Sequence, residues 1–435
     1  MDDRSKSRRD FVGLTGAAAL AGSLLSLFGE VRTAKARDVA PPPVPAEARG
    51  KTVRTVRGPI PPEQLGVTDM HEHVLRNEVP DEAQASNMFD AETRKESAML
   101  AEPEAVPSRF FPEKGNPINL RNRNYLIHYY ANGKDQFILD EPLMTGELRD
   151  FATLGGKSIL DCSVTYERGD PGTIRRMSEA TGVNVVMSTG INSHVLLPKK
   201  FKEMSVAQLT QLFEKEINVG IDDTDIRCGN IKLLAESAHL GRKATEDPPL
   251  LRGLEAAAAV SRNNGVPVTV HAYLLGNDIL RGFLEKAAGF GMPKDRMILA
   301  HFPTALVPMS YKTLLQNPKS FMPDFDIGYW AMDRGFILSF DLFGSSTSWV
   351  DSRDGLAPTY DPVALAAIYQ YVKAGYGDRI VMGTDVWMRN STREYGGPGI
   401  SSLLNFVVPT LLENGLTNKD INQILVATPA RLLAF

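Results

Sequence analysis

Val266-Pro267-Val268-Thr269-Val270-His271 is the stretch on which the reading of the fold turns. Five residues, mostly apolar and β-branched, follow Gly265 and stop at an imidazole. They are too few for a helix and suit a strand covered on both faces, as the strands of a parallel sheet are. Seven similar runs accompany it: Leu65–Met70, Lys157–Cys162, Val183–Ser188, Gly229–Leu233, Arg296–Ala300, Gly335–Phe340 and Arg379–Thr384. Helical patterns separate them. Between the third and fourth runs, Ser205 and Gln208 have the form of a capping box, Val206, Leu209, Phe213 and Ile217 recur at helical spacing, and Gly220 marks the end. The alternation predicts βα units, and eight runs predict a closed TIM (β/α)8 barrel rather than an open sheet.

Barrel enzymes carry their reacting groups at the carboxyl ends of the strands. At those ends stand His271, His301 after Met297-Ile298-Leu299-Ala300, and Asp385 after Ile380–Thr384. His71-Glu72-His73 closes the first strand, and residues i and i+2 of an extended chain share a face, so both imidazoles can converge on one ion. Taken alone, the pair equally describes two packed histidines. Together with the other ends, in a chain with only 7 His, it describes a metal site. Four imidazoles and a carboxylate suit zinc first, with cobalt or manganese as alternatives, and no cysteine is placed to join them. Two divalent ions roughly 3.5–4 Å apart need a bridging anion, expected from the fourth strand. Lys232 stands there, but an ammonium is a donor without a lone pair, so its own chemistry gives it a structural or salt-bridging part.

With 435 residues, 43% hydrophobic and 23% charged, the chain can form one large barrel with additional segments. A net charge of −4 gives no basic footprint for nucleic acid or an anionic membrane and fits a small uncharged substrate. Whether the barrel forms a homodimer is left open. Cys162 and Cys228 belong to separated strands and are expected as free, buried thiols.

Residues 1–36 read as a twin-arginine signal peptide: Ser7-Arg8-Arg9-Asp10-Phe11-Val12, a weakly apolar run from Gly13 to Phe28, and a small-x-small cleavage site at Ala34-Lys35-Ala36. The competing reading is a membrane anchor, for which the run falls short of the ~20 residues a span needs. The mature enzyme is therefore expected in the periplasm or secreted, without a stable membrane anchor. Residues 37–51 read as a Pro/Ala-rich linker and 52–435 as the hydrolase barrel. The interval from Val74 to Gly156 is longer than the ~30 residues a whole βα unit requires and holds Phe89, Phe110, Phe111, Tyr125, Tyr129, Tyr130 and Phe137. It follows the first strand, so 75–145 is expected as a lid-like insertion over the site, with a surface excursion or a subunit interface as the alternatives. His128 within it is expected to be structural.

Several stretches in order resemble the phosphotriesterase family of the amidohydrolase superfamily, from Thr52 to Phe435. They are Thr55-Val56-Arg57-Gly58-Pro59-Ile60, His71-Glu72-His73, Gly220-Ile221 leading through Arg227 to Ile231-Lys232, Gly265-Val266-Pro267-Val268-Thr269 with His271, and Thr428-Pro429-Ala430-Arg431. The resemblance implies that Lys232 is carboxylated by CO2 and bridges two metal ions as a carbamate. It implies that His71, His73 and Asp385 hold the more buried ion and His271 and His301 the more exposed one. The hydroxide between them is the implied nucleophile, with Asp385 accepting its proton.

The chain departs from the pattern at three places. His301 is followed by Phe302-Pro303-Thr304-Ala305-Leu306, without the aspartates that relay the proton in the resembled family. Asn192 stands where those relatives place an aromatic residue, and Leu342 where they carry Arg or His. His194, His239 and Trp387 are further pocket candidates just beyond strands three, four and eight, equally readable as ordinary loop residues. The expected activity is hydrolysis of a lactone or carboxylic ester, ahead of a phosphotriester. A second reading keeps the metal-bearing barrel as an exported binding protein without turnover.

Overall fold

The computed structural model describes residues 45–76, 118–121, 123, 139–192, 197–235, 244–273, 275–307, 316–344 and 361–435. A short antiparallel hairpin, β1 (Val53–Thr55) and β2 (Gly58–Ile60), comes first. Eight parallel strands follow: β3 (Thr68–Glu72), β4 (Ser158–Asp161), β5 (Asn184–Asn192), β6 (Asn230–Leu234), β7 (Val268–His271), β8 (Met297–Ala300), β9 (Ile337–Phe340) and β10 (Ile380–Met382). They pair in chain order, each with the next, and helices lie between them. This is the TIM (β/α)8 barrel.

Each strand lies within or beside its expected run, with shifted ends. The first starts at Thr68, because Pro62–Gln64 form a 3-10 turn that places Leu65 in the core ahead of the sheet. It runs on through His71 and Glu72, so His71 lies within the strand rather than beyond it. β10 stops at Met382, short of Thr384, and β5 extends to Asn192.

The barrel closes between β10 and β3 without a regular ladder. The Asp385 backbone N–H donates to the His71 carbonyl at 2.8 Å. Gly383 lies so near β3 that a Cβ there would stand 2.6 Å from both Asp69 Oδ1 and His71 N. A bulge between Asp69 and Glu72 shifts the register of β3 on β4.

Met70, Leu160, Val186, Ile298, Ile337 and Val381, from six of the barrel strands, pack in one cluster with Ala48, Val53 and the C-terminal Ala430, Leu432 and Leu433. The segment around residues 48–53 and the C-terminal helix thus close the amino-terminal mouth together. Ala48 sits in a 3-10 turn (Ala46–Ala48) and is fully buried, so packed structure begins inside the stretch read as linker. The helix Val206–Asn218 carries the expected capping box: Ser205 Oγ accepts from Gln208 N and Gln208 Oε1 from Ser205 N. Leu209, Phe213 and Ile217 are its buried stripe, each worth about 1.5–3 kcal/mol in apolar burial. Cys162 and Cys228 are free and buried, as expected.

The stem of the insertion is described. Arg76 and Leu139 pair as an antiparallel bridge where the chain leaves the barrel and returns to it. The helix Glu141–Thr153, capped by Asp140 on the Leu143 N–H, belongs to the barrel, so the excursion ends before 145. Most residues between Arg76 and Leu139, His128 included, lie outside the described residues, as do 1–44. Among the described residues no helix is long and apolar enough to cross a membrane.

Candidate metal centre

Three strand exits turn sharply into the mouth of the barrel. His301 (φ 57°), Leu342 (φ 64°) and Asp385 (φ 55°) all take the left-handed conformation that non-glycine residues avoid, directly after β8, near the end of β9 and after β10. Such backbone is sustained where its surroundings hold it, and around Asp341, His301 and Asp385 they do.

Asp341, immediately after β9, is the hub. Its Oδ2 lies 2.9 Å from His71 Nδ1 and its Oδ1 2.7 Å from His301 Nδ1, and the His301 backbone N–H and Ser339 Oγ donate to it as well. Burial alone would raise this carboxyl, but the facing imidazoles of His301 and His71 more than offset it and hold Asp341 ionised. With both Nδ1–H groups committed to Asp341, both Nε2 lone pairs are free for other partners. Burial, and then the Lys232 charge, push His71 down to about 4, so the imidazole is neutral as a ligand must be.

His73 is oriented in the same way by Ser163, whose Oγ lies 2.9 Å from Nδ1. His73 Nε2 then lies 3.3 Å and His71 Nε2 3.6 Å from Asp385 Oδ1. That oxygen is buried and has no hydrogen-bond donor among the described residues. Lys232, in β6, is 3% exposed and sets Nζ 2.8 Å from His71 Nε2. No carboxylate among the described residues pairs with it, a costly setting for an ammonium. On the other side, His301 Nε2 and His271 Nδ1 face each other at 2.8 Å, where one must carry a proton or both must share a cation.

The structure thus brings His71, His73, Lys232, His271, His301 and Asp385 together. Two groups bring possible ligand atoms together, His71 with His73 and Asp385, and His71 with His301 and Asp341; the second is the set already hydrogen-bonded through Nδ1, which leaves the first as the candidate cation site. The donor set fits a divalent ion: neutral ring nitrogens, an ionised carboxylate with an unsatisfied oxygen, and ring orientations fixed from behind.

Of the pocket candidates, Leu342 and Trp387 stand at the same mouth and are half-buried. The Trp387 carbonyl accepts from Arg76 Nη1 at 3.2 Å, tying the loop after β10 to the stem of the insertion. His194, His239 and the Asn192 side chain lie outside the described residues.

Five residues around the site escaped the sequence reading. Asp341 could have been found by parity, since it closes the β9 run as Asp385 closes the β10 run. Tyr273 lies two residues past His271, with its ring 5.6 Å from that imidazole and 5.7 Å from His301. Asp69, Glu72 and Thr384 form a buried cluster behind the histidines: the Thr384 hydroxyl, with one proton to donate, lies between the two carboxyls, and the Val386 N–H donates to Glu72. Burial pushes Asp69 up to about 8 and Glu72 well above the carboxyl range.

N-acetyltaurine hydrolase of Xenopus tropicalis is 26% identical over 88% of this chain and 98% of its own length, and a phosphotriesterase-related protein of Nematostella vectensis is 25% identical over 88% and 98%. Among solved structures, a resiniferatoxin-binding protein from Rhodobacter sphaeroides superposes with a TM-score of 0.68 at 24% identity, covering 89% of this chain and 96% of that one. A lactonase from Listeria monocytogenes gives 0.60 at 19%, covering 88% and 98%. Both share the fold. The model of the phosphotriesterase family matches residues 51–302 and 326–433, most of the barrel and all six of the clustered side chains. The chain belongs to the phosphotriesterase family.

Proposed function

We propose that this chain is a binuclear metal-dependent hydrolase of an uncharged acyl compound, a lactone or carboxylic ester ahead of a phosphotriester. The observation that carries the reading is the convergence of His71 Nε2, His73 Nε2 and the unsatisfied Asp385 Oδ1 beside the His271–His301 pair. His71, His73 and Asp385 would hold one ion and His271 and His301 the other, with a carbamate on Lys232 between them. Zinc fits first, cobalt or manganese next. Bound ions supply Lewis acidity and lower the pKa of water toward neutrality.

The chain's own residues do the rest. Asp341 keeps the His71 and His301 rings in one tautomer. Asp385 takes the proton of the attacking water. The resembled relay has no counterpart on the 3-10 turn Phe302–Leu306, which is buried and carries no acid, so the proton passes from Asp385 to solvent. Asn192, His194, His239, Leu342 and Trp387 would meet the substrate.

The curated relatives favour a second substrate class, since several of them are N-acetyltaurine hydrolases. An N-acyl amide passes through the same tetrahedral geometry as an ester. The test is to assay metal-replete protein in bicarbonate against lactones, aryl esters, phosphotriesters and N-acyl amides. At least one acyl substrate should turn over and a chelator should abolish it. No turnover by fully loaded protein would instead favour the binding-protein reading. The twin-arginine segment extends the proposal to a periplasmic or secreted site of action, checked by sequencing the N-terminus of exported protein for cleavage after Ala36.

A further inference from the structure

At the opposite end of the barrel, the β1–β2 hairpin and the segment from Asn218 to Arg227 meet around a cavity of roughly 300 Å³ that the hydrolytic chemistry does not use. Arg54, Thr55, Gly58, Pro59, Asn218, Val219, Asp225 and Arg227 line it. Asp225 is already paired, with Arg175 Nη2 at 2.7 Å. Arg227 has no hydrogen-bond or ion-pair partner among the described residues. Arg54 donates to the Ile217 carbonyl and lies 4.3 Å over the Phe435 ring, with no acid on it. Burial, and then the charge of Arg227, lower its guanidinium to about 10.

Two guanidiniums therefore line one cleft with a single carboxylate, Asp225, which is paired to Arg175 and also held down by the charge of Arg227, so positive charge is in excess there. Both are presented by pinned backbone. Cys228 N bonds Glu216 O and Gly229 N bonds Met187 O beside Arg227, while Val56 N bonds Val185 O beside Arg54. At the rim, Val219 is 69% exposed and Pro59 adds apolar surface.

We propose that this cleft is a binding site for a small oxyanion, a carboxylate or a phosphate, held between Arg54 and Arg227 with any short hydrocarbon part against Val219 and Pro59. Arginine suits planar, two-pronged recognition of either group. The site stands apart from the metal ligands and does not depend on the substrate assigned there.

The test is calorimetric titration of the full, metal-loaded chain with inorganic phosphate and, separately, with butyrate, alongside Arg227→Gln and Arg227→Glu. Tighter phosphate binding would identify a phosphate site, and tighter butyrate binding a carboxylate site with the apolar rim engaged. The expected result is one saturable site that weakens at least tenfold in Arg227→Gln and disappears in Arg227→Glu, with acyl turnover unchanged. Anions binding at the metal centre would persist in both variants. Crystals soaked in selenate should show an anomalous peak between the two guanidiniums in the parent and none there in Arg227→Glu. Binding equal in parent and variants, or a peak confined to the metal centre, would overturn the assignment.

Discussion

Asp341 orients two imidazoles with one carboxylate, and that makes it a sharper test of the centre than any ligand. In Asp341→Asn only one amide atom still accepts, so the Nδ1–H of His71 or of His301 loses its partner and that ring is released. Metal affinity should fall roughly 10- to 100-fold, measured by competition with a chelator of known strength. Unchanged affinity would mean that the rings are held by other contacts. Lys232→Ala should lose about half of the bound metal, as expected if one ion depends on the bridge, together with most turnover. Both should return in part with added short carboxylic acids, and unchanged metal content would defeat the bridging assignment. The four clustered imidazoles could be picked out because histidines are few and these four stand at or near the carboxyl ends of expected strands. Asp341 was not, because an acid after a strand is also what an ordinary turn presents. The part of Lys232 came from resemblance alone, since nothing in its own side chain announces a bridge.

Eight strands could be located from apolar runs, while their ends could not, because packing at the barrel seam and the turn chemistry at each mouth decide where pairing stops. Gly190 illustrates a constraint invisible in the runs. It pairs with Lys232 in the β5–β6 register, and a Cβ on it would stand 1.8 Å from the Lys232 carbonyl oxygen. Gly190→Ala should part those strands, costing about 1–3 kcal/mol or more and lowering metal content with it. The helix glycine Gly289, where an added Cβ meets nothing within 4 Å, is the control. The buried acids along the seam give a pH signature. Asp69 is raised to about 8 in the folded chain from 3.8, so its contribution is fully present below the lower value and lost as pH rises through the upper one. Urea midpoints of Asp69→Asn, which keeps an acceptor for the His71 N–H, should vary less than those of the parent between about pH 5 and 8. An identical slope would show Asp69 already ionised in the native state.

At the scale of the molecule, the long excursion after β3 is rooted against the loop that follows β10. Arg76 meets the Trp387 carbonyl, Arg123 Nε the Asn390 carbonyl at 2.8 Å, and Arg389 the Asp140 carboxylate at 2.9 Å. Removing residues 82–134 should change the range of acyl compounds hydrolysed while metal content, read by elemental analysis, stays the same. Loss of metal would show that the segment supports the centre rather than covering it. The existence of this segment was readable from the length of chain between two strands, whereas its anchorage among the described residues uses arginines that look like solvated charges in sequence. The backbone hydrogen bond between Asp385 and His71 joins the last turn of the cylinder to its first strand, and the same two residues offer donor atoms to an ion. An ion seated there would act as a rivet across the one joint that lacks a ladder, tying closure of the wall to uptake of the ion, and stripping it would loosen the cylinder at that joint.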